Sequence, residues 1–247
     1  MRNRILLFAF ILFSFASQAQ TEFYELRTYE MRFGASASVL HTYLKDAYIP
    51  AVKKHGAKSV GVFNEYGMGN PAKLYVLTVY PSMSAYEATY NGLKTDKSFL
   101  NAKKAYDSMS GDKVPFNRIQ VSMYKAFDGL PKLVKPASGS ALYELRTYEG
   151  ANEDAFTRKV MMFNDEELPL FAETKLYSVF FGEMLAGNSV PALTYMLAFK
   201  NMEERDANWK TFVNDPEWKR MSSDPKYANS VSNIIRTFLV PLEYSEI

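Results

Sequence analysis

The chain has 247 residues, 47% of them hydrophobic and 15% aromatic, with 29 Lys+Arg against 27 Asp+Glu and no cysteine. A formal net charge of +2 offers no cationic excess for nucleic acid, and the missing thiols exclude disulfides, cysteine nucleophiles and cysteine–metal sites. The apolar and aromatic share can build a core without covalent staples.

At the N-terminus, Arg2 and Arg4 precede an apolar run at residues 5–15, and Ser17-Gln18-Ala19 places small residues at a cleavage site. This pattern predicts a signal peptide over residues 1–19, cut after Ala19, and a periplasmic or secreted mature protein. Losing Arg2 and Arg4 leaves that mature chain formally neutral. The apolar run is shorter than the roughly 20 residues of a membrane span, so no stable membrane anchor is expected after cleavage.

Residues 24–30 alternate Tyr24, Leu26 and Thr28 with Glu25, Arg27 and Tyr29, the period of a strand. The first set reads as the face packed on helices and the second as the face turned to a barrel interior. Residues 36–55 carry Val39, Leu40, Tyr43, Leu44, Tyr48 and Val52 at helical spacing, closed by Lys53, Lys54, His55 and Gly56. Pro50 inside this helix predicts a kink, because it removes a donor and frees the carbonyl four residues earlier. Residues 59–65 and 74–80 form a hairpin about a Gly- and Pro-containing turn. Broken helix over 84–91 and 96–109 leads to a fourth strand at 118–124, and residues 128–140, rich in Pro, Gly and Ser, read as a linker.

The heptapeptide Tyr-Glu-Leu-Arg-Thr-Tyr-Glu at 24–30 then recurs at 143–149, 119 positions later. The same offset sets Pro50 on Pro169, Tyr90 on Trp209 and Phe99 on Trp218, so one unit is duplicated. The second copy predicts a strand at 142–149, a helix near 153–172 and a hairpin within 176–200. Broken helices over 202–229 and a strand at 233–241 complete it. Asp215 reads as an N-cap before Pro216, with Trp209, Phe212 and Trp218 in the core. The expected fold is α+β: two tandem ferredoxin-like β-α-β-β-α-β repeats, residues 20–127 and 141–247. Their antiparallel sheets, each with one face bare of helices, are expected to pack as a single-chain α/β barrel.

The candidate site residues are Glu25, Arg27 and Tyr29 with their copies Glu144, Arg146 and Tyr148, and His41. If the charged set lines a low-dielectric interior it must be paired. One reading is a structural lock, Glu25 with Arg146 and Glu144 with Arg27. The other is an arginine pair holding a carboxylate or enolate of a small ligand, with Tyr29 and Tyr148 as hydrogen-bond partners. His41 and His55 have Val160 and Thr174 at the shared offset; His55 reads as part of a helix terminus. Two such histidines show no metal-site spacing, and there is no phosphate loop or nucleophile elbow, which argues against a hydrolase or nucleotide enzyme.

Tyr-Glu-Leu-Arg-Thr-Tyr, present at 24–29 and at 143–148, resembles the opening signature of the NIPSNAP family within the dimeric α/β-barrel superfamily. Gly34 matches a glycine common after that strand; Glu153 stands at its place in the second copy. The resemblance implies the fold and a cavity, between sheet and helices or between sheets, without a defined reaction. Superfamily relatives include cofactor-free monooxygenases and haem-degrading enzymes, but no such residue set maps onto this chain. The expectation is a cofactor-free module binding a small aromatic or amphipathic molecule in a barrel cavity. The alternatives are a cofactor-independent oxygenase or isomerase, and a protein-interaction or homo-oligomeric module with an inert core. The missing Gly34 and histidine counterparts suggest one working half and one structural half.

Overall fold

The computed structural model describes residues 21–67 and 69–247, so the expected signal segment lies outside the described residues. The first repeat runs β1 (Phe23–Met31), α1 (Ser38–Thr42), a π-helical turn (Tyr43–Tyr48), α2 (Ile49–Lys54), β2 (Ser59–Glu65) and β3 (Lys73–Tyr80). It continues through α3 (Met83–Leu93), α4 (Lys97–Ala102) and α5 (Lys104–Asp107) to β4 (Phe116–Ala126). The second repeats the plan: β5 (Leu142–Glu149), α6 (Glu153–Met162), a π turn (Phe163–Glu167), α7 (Leu168–Glu173), β6 (Ser178–Ala186) and β7 (Ala192–Phe199). Then follow α8 (Met202–Asn214), α9 (Pro216–Ser222) and β8 (Asn233–Pro241).

Both predicted kinks are π turns at the same place in each repeat. The residue before each proline donates five residues back, Ile49 to Leu44 and Leu168 to Phe163. Pro50 and Pro169 cannot donate, so a wider turn accommodates the ring where an α-turn would lose a bond. Capping follows the sequence: Ser82, Asn152, Asn201 and Asp215 each accept a backbone N–H at the start of a helix, and Pro216 takes the first helical position after Asp215.

All eight strands close into one barrel in the order β1-β3-β2-β8-β5-β7-β6-β4, every pair antiparallel. The two ferredoxin-like sheets are sewn together along β2–β8 and β4–β6. Between the sheets the interior is packed by Tyr24, Leu26, Phe63, Tyr143, Leu145 and Phe180 among others. Rings from different repeats touch there, Tyr24 on Phe180 and Phe63 on Tyr143, both at 5.1 Å.

This packing reverses the expected facing of β1 and β5. Tyr24 and Leu26 point into the barrel, while Glu25, Arg27 and Tyr29 point outward beneath the helices. A strand sandwiched between a sheet interior and a helix layer is buried on both faces, so alternation separates two faces without saying which is inside. The barrel interior is the drier of the two and takes the residues with fewer charges. Charged groups under the helices can reach water between the helix ends.

The linker is more than a spacer. Phe127 N–H donates to the Phe181 carbonyl and Val134 N–H to the Val179 carbonyl. The C-terminal tail does the same in the first repeat, Leu242 to Val62 and Glu246 to Val60, at positions offset by the same 119. Each segment therefore edges a strand of the other repeat, the linker β6 and the C-terminal tail β2. No helix of the described residues is long and apolar enough to cross a membrane.

Candidate functional site

Because the charged triplets lie outside the barrel, there are two sites, one under the helices of each repeat. The expected cross-repeat lock is not formed. Glu25 accepts from Arg27 of its own strand, and Glu144 from Arg146 of its own, at 3.2 Å. Residues two apart on a strand share a face, so the local partner is reached without crossing the barrel.

In the first repeat the site is closed by tyrosines. Glu25 is buried and also accepts from the Tyr80 hydroxyl at 3.2 Å. The Arg27 guanidinium lies 5.0 Å from the centre of the Tyr48 ring, and Tyr43 stacks on Tyr106 at 3.9 Å. Burial pushes the Tyr48 hydroxyl up to about 12, so it stays neutral, and it shares a 3.1 Å hydrogen bond with Thr78 Oγ1. The remaining cavity is about 260 Å³, lined by Arg27, Tyr48, Tyr90 and Phe99 among others. The half-buried Arg27 is matched by the buried Glu25, and Lys103, also in the lining, by Asp107 at 2.7 Å.

The second repeat has a different economy of charge. Glu144, fully buried, accepts both limbs of the Arg205 fork at 2.9 Å and the Trp209 indole N–H at 2.7 Å, besides Arg146. With its carboxylate so occupied, Glu144 leaves Arg146 poorly served. The Nε of Arg146 is buried and has no hydrogen-bond partner, the only such side-chain atom among the described residues. Its guanidinium lies over the Trp209 ring at 4.5 Å and near Tyr148 at 5.4 Å. Tyr148 shares a 3.0 Å hydrogen bond with Tyr195, and burial raises both hydroxyls, keeping them protonated.

The π turn delivers a further pair. Glu167, at the position of Tyr48 in the first repeat, accepts from Lys159 Nζ at 2.6 Å, and both are buried. Burial raises the Glu167 carboxyl, with Lys159 and Arg146 opposing. Arg146, Tyr148, Lys159, Glu167, Arg205 and Trp209 line a cavity of about 430 Å³, walled by Phe212, Val213, Trp218, Val231 and Ile234. Three cations, Arg146, Lys159 and Arg205, meet two buried carboxylates, Glu144 and Glu167. Asp206, which also touches Arg205, is solvent-exposed and screened. An unpaired donor, an excess of positive charge and indole walls suit a planar or aromatic anion.

His41 belongs to neither site. It shares a 2.7 Å hydrogen bond with the Tyr244 hydroxyl and lines a separate depression with Glu65 and Lys73, and burial lowers its pKa, which favours the neutral ring. His55 caps α2 and meets Asp96 at 2.9 Å. Lys159, Glu167, Arg205 and Tyr195 escaped the sequence reading. The offset of 119 pairs Glu167 with Tyr48 and Arg205 with Tyr86, so the traceable signal was aromatic positions of the first copy turned ionic in the second. Trp209 and Trp218 are half-buried walls of the cavity, and Phe212, a third wall, is fully buried core. Among the described residues no group of three or more His, Asp or Glu is placed to hold a metal ion.

Comparison with solved structures shows the same fold at low identity. A protein from Fusobacterium nucleatum subsp. nucleatum, provisionally named a monooxygenase, aligns with a TM-score of 0.59 at 9% identity, over 90% of this chain and 93% of that one. A provisionally named monooxygenase from Lactobacillus acidophilus NCFM gives 0.58 at 11% identity, over 90% and 94%. An anthrone oxidase-like protein gives 0.51 at 7% identity, over 91% and 93%. No match was found among curated proteins. The NIPSNAP family model matches residues 24–111 and again residues 143–246, each span opening on the Glu/Arg/Tyr strand that floors a site, and the chain belongs to the NIPSNAP family.

Proposed function

We propose that the protein binds a small aromatic or amphipathic anion in the sheet–helix cavity of its second repeat. The observation that carries this reading is Arg146, whose Nε is a buried donor without a partner and whose side chain lines a cavity of about 430 Å³. An unmet buried donor costs about 1–3 kcal/mol, a debt that a bound carboxylate or enolate cancels. Trp209 and Trp218 supply flat apolar surface for the rest of the ligand. The first repeat, with Arg27 matched by Glu25 and a cavity of about 260 Å³, serves as the structural half. The reading includes export, on the residue pattern at 1–19, which N-terminal sequencing of the mature protein tests.

Native mass spectrometry of residues 20–247 purified from the protein's own compartment is the direct test. The expected result is an extra mass of the order of a few hundred daltons that is lost on denaturation and absent from Arg146→Ala. A bare mass for the unaltered chain, with no aromatic acid quenching its tryptophans, refutes the reading. Both tryptophans of the chain line this cavity, so their emission reports on it alone.

A second reading is oxygenation or isomerisation of such a ligand without a cofactor. It is favoured by structural neighbours named, provisionally, as monooxygenases and as anthrone oxidase-like. In that case Arg146 holds the enolate form and the Lys159–Glu167 pair handles its proton. Oxygen uptake with an anthrone or quinol, or an isomerised product without uptake, lost in Arg146→Ala, supports it; neither above buffer leaves binding alone.

A further inference from the structure

A larger cavity, about 840 Å³, lies away from both charged sites, between the inter-repeat linker, α7 and the β6–β7 hairpin. The first repeat shows what sets its lining apart. At the equivalent place the C-terminal tail crosses β2, and Glu246 forms an ion pair with Lys53 at the end of α2. The shared offset sets Ala172 at the position of Lys53. The backbone sets Val134 at the position of Glu246, since Glu246 N–H meets Val60 and Val134 N–H meets Val179. In the first half that ion pair lines a polar depression of about 620 Å³, together with Lys58 and Ser59. In the second half both partners are replaced by small apolar side chains, and the space of about 840 Å³ is walled mainly by aliphatic groups.

The opening is built rather than loose. Gly129 passes so close to α7 that a Cβ there would stand 2.8 Å from Leu168 Cδ1, and its N–H donates to Asn164 Oδ1 at 2.9 Å. The walls are mainly aliphatic, from Leu130, Val134, Leu168, Leu176 and Val179, with the rings of Tyr177 and Phe199 at the strand ends and Val134 48% exposed to solvent. Lys135 and Lys200 also line it, and neither has a carboxylate within ion-pair distance among the described residues. The one acid of the lining, Glu204, is already engaged by the Lys200 backbone N–H at 2.6 Å.

We propose that this groove is a second binding site, for a single-chain amphiphile with an anionic head, its hydrocarbon along the aliphatic walls and its head at Lys135 and Lys200. Aliphatic walls without an indole suit a flexible chain rather than a flat ring, and two unpaired ammonium groups select a negative head. Each methylene buried along these walls adds to the binding, so a chain of moderate length is held without a large polar network.

The probe is dodecanoate, titrated calorimetrically into residues 20–247 while tryptophan emission is followed. The expected result is one-to-one binding that leaves the tryptophans, both in the Arg146 cavity, silent and that persists in Arg146→Ala. Val134→Glu/Ala172→Lys, which carries the ion pair of the first repeat onto the aliphatic walls, should abolish binding. Lys135→Ala/Lys200→Ala should weaken it at least tenfold. No binding, a tryptophan response lost in Arg146→Ala, or full affinity in the Val134→Glu/Ala172→Lys protein overturns the site. Unchanged affinity in the double lysine variant overturns the assignment of the head group. Because the tryptophan channel reads only the aromatic cavity, failure here leaves the proposed function standing, and the reverse.

Discussion

Arg27 and Arg146 occupy the same position in the same heptapeptide, yet their surroundings give them different work. Arg27 answers a buried Glu25 that has only Tyr80 besides; Arg27→Ala strands that carboxylate and should cost about 3 kcal/mol in urea denaturation with little effect on ligand. Arg146→Ala leaves Glu144 to Arg205 and Trp209, so its stability cost should be smaller, while affinity for an aromatic acid falls tenfold or more, the equivalent of about 1.4 kcal/mol. Equal effects of the two substitutions on both readouts would contradict this division. Two carboxyls also give stability opposite pH slopes. Lys54, then His55, then the Phe99 N–H hold the Asp96 carboxyl below its usual range. Its contribution is therefore complete above the unfolded value of about 3.9 and is lost as pH falls through the depressed folded one. Burial raises Glu167, so its contribution is complete below the unfolded value of about 4.3 and is lost as pH rises through the folded one. Denaturation midpoints measured against pH should lose the acid-side decline in Asp96→Asn and the decline on the other side of pH 4.3 in Glu167→Gln.

The π turns are the elements that make the repeats diverge in chemistry while sharing a backbone. Each ends just before its proline, and each aims its last residue at the arginine below: Tyr48 over Arg27, Glu167 toward Lys159 and Arg146. Pro169→Ala restores a donor and permits an ordinary α-turn, rotating Glu167 relative to the cavity. The expected outcome is a stability change within about 1 kcal/mol together with a loss of affinity for the aromatic acid; retained affinity would mean that the turn positions nothing. The sequence exposed the proline and the freed carbonyl, but a kink, a break and a π turn satisfy that local requirement equally. Packing of α1, α2, α6 and α7 on their sheets chose among them.

At the scale of the molecule, neither repeat can stand alone with the face that carries Tyr24, Leu26, Tyr143 and Leu145 in water. Residues 20–127 and 141–247 made as separate chains should each self-associate by light scattering and, when mixed, recover a one-to-one complex. A stable monomer of either half would show that the barrel is dispensable. The linker and the C-terminal tail hold equivalent edges, so cutting the linker should cost more than the entropy of joining two chains. The separate chains should therefore reassociate more weakly when the first half ends at 127 than when it ends at 140, because the longer half retains the Val134–Val179 bond.

The sequence by itself determined the duplication, the order of elements and the pairing of two bare sheet faces. A repeated heptapeptide at one offset, period-two alternation and helical spacing are local signals that survive without knowledge of neighbours. It also singled out Glu25, Arg27, Glu144 and Arg146 as residues needing partners, since charges on a buried strand must be matched. Only the tertiary structure decided which face of β1 and β5 is inside, because both faces are buried and alternation is symmetric to that choice. It moved the expected cavity from between the sheets, where aromatic rings fill the space, to beneath the helices. It set His41 apart from either site and brought Lys159, Glu167 and Arg205 to Arg146 from two other helices and a π turn. Contacts made across such distances in the chain leave no trace in spacing. They depend on where the closed barrel puts each helix.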